Sequence, residues 1–363
     1  MNDNLNQIAS RFHINGTVGG IEPLGNGLIN TTYKVATMEA GKPDYVLQQI
    51  NNAVFQDVEL LQRNIETVTA HIRRKLVERG ESDVERKVLR FVETDDGKTF
   101  YQDGDGKYWR MSVLIPNART IETVNAEYSY NAGVKFGEFE AMLVDVPEQL
   151  GETIPDFHNM ELRIRQLRDA VAADPEGRLK EVKAIVDELE ADAEEMTKAE
   201  RLHREGRLPK RVCHCDTKVN NMLFDEQGNV LCVIDLDTVM PSFVFSDFGD
   251  FLRTAANYVA EDDPAIEKVG FNEEIFKAFA RGYLESARQF LTPLEIENLP
   301  FAVKLFPYMQ CVRFLTDYIN GDTYYKIQYP EHNLVRTRNQ LALYRDVKAH
   351  EDAMKKTIES LTK

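Results

Sequence analysis

Between Val212 and Met240 the chain reads VCHCDTKVNNMLFDEQGNVLCVIDLDTVM. His214 stands two residues before Asp216, and Asn221 five after it. Asp235 closes an apolar run, Val230 to Ile234, that follows a turn at Gly228-Asn229. These residue types at this spacing suit phosphoryl transfer. The transferred group passes in line between two oxygens, with its charge spread over the equatorial oxygens. Catalysis is then mostly positioning and charge neutralisation. One carboxylate belongs beside the attacking hydroxyl, and a second group and a second carboxylate hold magnesium against the phosphates. A tight loop carrying Asp216 and Asn221 can aim both into one cleft, and a hairpin strand ending at Asp235 can deliver the other carboxylate. That is the physical content of an H-x-D-x-x-x-x-N loop followed by a metal aspartate. Each piece alone is weak, because Asp and Asn are ordinary turn formers; the ordered set carries the reading. Asp237 is either a second metal ligand or an orienter of Asp235. Lys218 either contacts a phosphate or pairs with a neighbouring acid.

Such residues need elements to hold them. The first 116 residues read as an antiparallel β region with one main helix. Gly19 to Ala36 reads as strand, glycine-rich turn, strand, and Tyr45 to Ile50 as a third strand. A helix is expected from Asp57 to Arg79, with Val58, Leu61, Ile65, Val68 and Ile72 at helical spacing and Asp57 as its cap. Two further strands are expected around Val88–Val92 and Tyr108–Ile115. Between them Asp95-Asp96-Gly97 and Asp103-Gly104-Asp105-Gly106 carry turn chemistry, and the latter lacks the distal acid of a calcium loop. Pro116 is a reasonable hinge, beyond which the chain turns helical. Asn125 to Leu143 is one helix. Residues 160–206 form a charged helix pair broken at Asp174-Pro175, with Leu179, Val182, Val186 and Leu189 on one stripe, read as a solvated insert. From about Asp247 the chain is mostly helical. The fold class is therefore α+β, with lobes at 1–116 and 117–363.

Gly25-Asn26-Gly27 lies between two strand candidates. Glycines there let backbone amides cradle phosphate closely, although the same residues also make a plain hairpin turn. The composition narrows the partners. A net charge of −16 repels phosphate backbones, which argues against nucleic acid. No stretch approaches the roughly 20 apolar residues that span a bilayer, and the first residues lack the pattern of a secretory signal, so a cytoplasmic location is expected. Cys213, Cys215, Cys232 and Cys311 make neither a disulfide framework nor a complete zinc shell. There is no GxxxxGK[ST], G-x-S-x-G or HExxH.

The loop resembles that of the aminoglycoside phosphotransferase/choline kinase superfamily. More narrowly, the chain resembles bacterial N-acetylhexosamine 1-kinases through CDTKVNN (215–221), VIDLDTVMP (233–241), FSDFGDFLR (245–253), INTTY (29–33), LQQIN (47–51) and YPEHNLVRTR (329–338). The likeness runs from roughly residue 8 to 345. It implies a bilobal, protein-kinase-like fold with a small β-rich N-lobe that binds nucleotide and a larger helical C-lobe that binds the acceptor. The implied reaction phosphorylates the anomeric hydroxyl of an N-acetylhexosamine with ATP and Mg2+. Asp216 would be base or positioner, Asn221 and Asp235 metal ligands, and His214 a structural residue holding the loop. Gly25, Asn26, Gly27 and Gln48 would meet the nucleotide. Arg313 and Tyr324 match positions that contact the sugar; from the residues alone, an ion pair of Arg313 with Asp317 on one helix is the preferred reading. Gln48-Gln49 stands where a protein kinase carries its strand-three lysine, and the resembling sugar kinases share the paired glutamine. Magnesium or Lys34 would then neutralise the phosphates. Leu28 stands where such sugar kinases carry a polar residue. A monomer or homodimer is expected. A same-fold kinase for choline, ethanolamine, homoserine, an aminoglycoside or another sugar, and a non-catalytic nucleotide binder, remain the alternatives.

Overall fold

The computed structural model describes residues 2–25 and 29–363. The chain forms two compact units. The smaller comprises residues up to Thr120 together with Asp145–Pro155 and Met222–Met240; the larger comprises Ile121–Val144, Asp156–Asn221 and Pro241–Lys363.

In the smaller unit, helix α1 (Asn2–Ala9) precedes strands β1 (Val18–Pro23), β2 (Thr31–Thr37) and β3 (Tyr45–Ile50). Helices α2 (Val58–Glu78) and α3 (Val84–Lys87) follow, then β4 (Phe100–Gln102) and β5 (Tyr108–Val113). The five strands pair antiparallel in the order β1-β2-β3-β5-β4. Alternation of side chains sorts them onto two faces. Val35, Tyr45, Leu47, Trp109 and Met111 form a buried cluster with Leu5, Ile8 and Phe12. Thr32, Gln48 and Arg110 lie opposite one another in register on the other face. Sequence reading missed α1, although Leu5, Ile8, Ala9 and Phe12 recur at helical spacing.

Helix α2 begins where expected: the Asp57 carboxylate accepts from Leu60 N at 2.9 Å. The strand expected at Val88–Val92 is corrected. That segment makes an isolated bridge, Phe91 to Ser112, with Val92 N donating to Met111 O and Val113 N to Arg90 O. The edge strand is instead β4, inside the stretch read as turns. Asp103 closes the β4–β5 hairpin by accepting from Asp105 N, Lys107 N and Trp109 Nε1, so its carboxylate is committed to its own turn. Asn64 of α2 fastens two later segments of the unit. Its amide donates to Gly151 O (2.7 Å) and Val239 O (3.0 Å) and accepts from Gly151 N (3.2 Å). The hairpin of Met222–Phe224 and Val230–Val233 packs Leu231 and Cys232 with Ile115.

The larger unit is helical: α4 (Ala126–Leu143), α5 (Met160–Ala173), α6 (Leu179–Met196), α7 (Lys198–Arg204), α8 (Phe245–Ala255), α9 (Glu273–Ala287), α10 (Pro293–Glu297), α11 (Leu299–Ile319), α12 (His332–Ala349) and α13 (Glu351–Thr362). Helix α11 is buried almost all round, as an evenly apolar helix must be. Helices α4 and α9 approach so closely that a Cβ on Gly282 would sit 2.1 Å from Tyr130 O, and one on Gly133 2.3 Å from Phe279 O. The 160–206 segment breaks at Asp174, as expected, in a left-handed conformation. Its reading as a solvated insert is corrected. Val182, Val186 and Leu189 are buried, and Tyr308 of α11 donates to Leu189 O at 2.6 Å; ion pairs lie both on the outward face, as Arg168–Glu190, and inward, as Glu195 with the buried Lys304.

Among the described residues no helix is long and apolar enough to cross a membrane.

Candidate active site

Asp216 sits on a loop of the larger unit that is braced from behind by α8. Asp247 accepts from His214 N and Cys215 N, each at 2.7 Å, and its own carbonyl accepts from Thr217 Oγ1 at 2.7 Å. Three positions flanking Asp216, two before it and one after, are thus hung on one buried residue. Cys215 takes a left-handed φ of 63°, uncommon for a side chain other than Asn, Asp or Gly, and the paired bonds to Asp247 are what hold it there. His214 is fully buried against Phe136 and Phe139, and its Nδ1 accepts from Asp216 N at 3.3 Å. The thiols of Cys213 and Cys215 are buried, and burial pushes them well above their ordinary value.

Lys218 Nζ lies 2.8 Å from Asp216 Oδ1. Burial works against ionising Asp216, but the Lys218 ammonium outweighs it and leaves the carboxyl below its ordinary value. Lys218, also desolvated, is raised by the same pairing. Asn221, in a 3-10 turn, donates its Nδ2 to Asp216 O (2.8 Å) and Oδ2 (3.2 Å). Beyond the loop, Arg253 donates to Asp250 Oδ1 (3.0 Å) and Glu261 Oε2 (2.5 Å), all three acting electrostatically with Asp216 or Lys218. Sequence reasoning missed this group; the signal was an acid and a base three apart inside a buried apolar helix.

The smaller unit carries Asp235, Asp237 and Gln48. Asp235 adopts φ 59° and ψ 57° at the head of a 3-10 turn, Leu236–Thr238. Both oxygens of the Asp237 carboxylate are taken, by Arg110 (2.5 Å) and by Asn30 Nδ2 (2.6 Å), and its carbonyl accepts from Thr153 Oγ1 (2.8 Å). Asn30 also accepts from Asn51 N. Arg110 Nε donates to Gln48 Oε1 at 2.9 Å, and Gln48 Nε2 to Thr32 Oγ1 at 3.3 Å. Lys34 pairs with Asp44 instead, at 3.1 Å. Gly25 has a φ of 69° with open space about its Cα; Asn26, Gly27 and Leu28 lie outside the described residues. Asn221 in the larger unit and Asp235 in the smaller each carry a side-chain oxygen of the hard kind that magnesium takes.

Arg313 and Tyr324 line one cavity of about 460 Å³ in the larger unit, with Arg163, Asp317, Thr323 and Tyr325. The expected Arg313–Asp317 ion pair is corrected. Asp317 accepts from Thr323 N, Tyr324 N, Tyr325 N and Asn333 Nδ2, and so builds the loop. Arg313 donates to Gln310 Oε1 and lies over Phe157 and Tyr325. Among the described residues neither Arg163 nor Arg313 makes a salt bridge. Burial, with Arg313 alongside, lowers Arg163 to about 10. His158, held neutral chiefly by burial, feels the charges of both Arg313 and Asp216, which puts cavity and loop in one electrostatic neighbourhood. A larger groove of about 680 Å³ near Tyr130 and Arg281 contains none of these residues, so volume alone does not mark the site.

A family model described as the phosphotransferase enzyme family matches residues 20–293. Among solved structures, an aminoglycoside phosphotransferase from Alicyclobacillus acidocaldarius superposes with a TM-score of 0.64 at 14% identity, covering 98% of this chain and 96% of that one. A spectinomycin phosphotransferase in complex with ADP and spectinomycin gives 0.57 at 12%, covering 98% of each. A choline/ethanolamine kinase family protein from Mesorhizobium loti gives 0.56 at 15%, covering 99% and 98%. At such identities the likeness is one of fold, and it agrees with the α+β, protein-kinase-like class expected from the sequence.

Proposed function

The chain belongs to the phosphotransferase enzyme family, and on that premise we propose that it is a sugar 1-kinase, moving the γ-phosphoryl of ATP to the anomeric hydroxyl of an N-acetylhexosamine (GlcNAc or GalNAc). The observation that carries the transfer step is the Asp216 carboxylate, kept ionised by Lys218 and locked in place by Asn221. It accepts the hydrogen bond of the attacking hydroxyl. The anomeric oxygen forms the new bond to the γ-phosphorus, the bond to the β,γ-bridging oxygen breaks, and ADP leaves with that electron pair. The hydroxyl proton passes to Asp216 and on to solvent. A carboxyl held below its ordinary value is a weak base, so it acts chiefly by orienting the hydroxyl and takes the proton late, as a loose transition state allows. Asn221 and Asp235 would hold Mg2+, which supplies charge neutralisation at the phosphates.

The acceptor reading rests on the resemblance together with the Arg313/Tyr324 cavity. Its aromatic rings suit the apolar face of a sugar, and its guanidinium groups suit ring hydroxyls and an acetamido carbonyl. The lining sets Asp169 and Asp317 beside the guanidinium groups of Arg163 and Arg313, and with Asp317 committed to its loop amides the free donors suit a neutral polyhydroxyl acceptor. A non-catalytic binder draws support from Gln48 in place of a lysine, but has no need of the charged Asp216–Lys218 pair. The test is ATP consumption by purified protein with Mg2+ and a panel of acceptors. N-acetylhexosamines are expected to support turnover, and Asp216→Asn to lower it about 10³-fold; robust turnover by Asp216→Asn would sink the role given to that residue.

A further inference from the structure

The smaller unit raises a specific question: Gln48 occupies the position of a cation, and the nearest lysine on the same sheet face, Lys34, is spent on Asp44. The row Thr32–Gln48–Arg110 crosses three adjacent strands, so a cation does stand beside Gln48, delivered from β5. It is too deeply placed to be a phosphate ligand, for Arg110 is 2% exposed. Its bonds run inward, to Gln48 Oε1 (2.9 Å), Asp237 Oδ1 (2.5 Å) and, at the limit of bonding, Gln62 Oε1 of α2 (3.5 Å).

We infer that Arg110 and Asp237 are a positioning pair that replaces the strand-three lysine by setting Gln48 and the Asp235 turn rather than by touching phosphate. Two consequences of the geometry carry this. First, a guanidinium is donor only, so Arg110 fixes which end of the Gln48 carboxamide points where. The oxygen is captured, and the amino group, bonded to Thr32 Oγ1 at 3.3 Å, is presented as the donor. A donor is what a phosphate oxygen requires. Second, Asp237 lies two residues past Asp235, within its 3-10 turn. Arg110 and Asn30 hold one carboxylate oxygen each, and Asn64 and Thr153 hold the backbone of Val239 and Asp237. Asn30, just ahead of β2, also accepts from Asn51 N, just past the end of β3. Asn30, the strand-three glutamine and the Asp235 turn are thereby joined around one carboxylate. Partners of this kind, which act on a metal ligand through a second residue, are worth about 10–100-fold in metal affinity.

The inference rests on the proposed reading to the extent that Asp235 is taken to hold the metal. Its test is direct binding of Mn2+ by electron paramagnetic resonance, with ADP present and no acceptor. Arg110→Met alone strands a buried carboxylate and is expected to fold poorly. The informative variant is Arg110→Met/Asp237→Leu, in which apolar groups of similar size replace a buried pair, an exchange that often leaves stability intact. Its thermal midpoint is expected to stay close to the wild type, whereas Mn2+ binds about 10–100-fold more weakly and ADP more weakly with it. Arg110→Lys, which keeps the charge but lacks the planar fork, is expected between the two. A double variant that folds and binds Mn2+–ADP like the wild type overturns the inference, as does a wild type that binds no Mn2+. Failure of every acceptor to be phosphorylated while wild type and variant differ in Mn2+ affinity leaves the positioning role standing and removes the kinase reading instead.

Discussion

Asp216 works at the residue scale through a charge it keeps against burial. Because Lys218 provides the offset, Lys218→Met is expected to leave desolvation unopposed and raise the Asp216 pKa. The sign follows: the carboxylate form is needed, so the acid limb of kcat/KM moves to higher pH, and activity is lost sooner as pH falls. An unmoved acid limb in that variant contradicts the pairing. The Asp216, Asn221, Asp235 set could be proposed from sequence because the three lie at telling spacing along one short segment. Arg110 was not. Its partners Gln48 and Asp237 lie 62 and 127 positions away, and no periodicity links a β5 arginine to them before the sheet register is known. Arg313 was legible only through resemblance, since its spacing to Asp317 favoured a helical ion pair that the loop backbone amides displace.

Two supports of the site belong to the scale of elements. Helix α4 lends Glu140 to the back of the Asp216 loop, close to the charge of Asp247, where it accepts from Tyr283 OH at 2.5 Å. Burial first, and then the charge of Asp247, raises Glu140 well above its ordinary 4.5. A carboxyl raised on folding contributes stability that is fully present below its unfolded value and is lost as pH rises through the folded one. Wild-type stability is therefore expected to decline, as pH rises above Glu140's ordinary 4.5, more steeply than that of Glu140→Gln. Thermal melts across that range check it, and parallel curves contradict it. Helices α4 and α9 meet at Gly133 and Gly282, where a methyl on Gly282 meets the backbone oxygen of Tyr130; Gly282→Ala is expected to cost about 1–3 kcal/mol in chemical denaturation. In the smaller unit, Asn64→Ala removes three bonds that tie α2 to Gly151 and Val239, an expected loss of about 2–3 kcal/mol. The long helices and β3 were legible from periodicity and caps. Strand β4 was not, because three residues between two turns carry too little pattern; the register that makes it a strand comes from β5.

For the whole molecule, charge and architecture pull in different directions. A protein of net charge −16 attracts cations to its surface in general, yet the cavity holding Arg313 and Tyr324 contains two guanidinium groups with no salt bridge among the described residues. The local charge decides, because groups beyond about 8 Å are screened at physiological salt. Acceptor choice is therefore expected to follow the cavity lining, where Asp169 and Asp317 stand with the two guanidinium groups, rather than the net charge. The α+β division was readable from the switch between alternating and helical patterns near Pro116. That Asp145–Pro155 and Met222–Met240 join the smaller unit was not, because the Asn64 bonds that bind them are made across large sequence distances. The most direct test of the central claim is phosphorus NMR of the product formed from Mg-ATP and an equimolar panel of N-acetylglucosamine, N-acetylgalactosamine, glucose, choline and kanamycin. An anomeric phosphate on an N-acetylhexosamine, coupled to the C1 proton, is the result expected. Phosphate at any other position, or on choline or kanamycin with the hexosamines untouched, contradicts it.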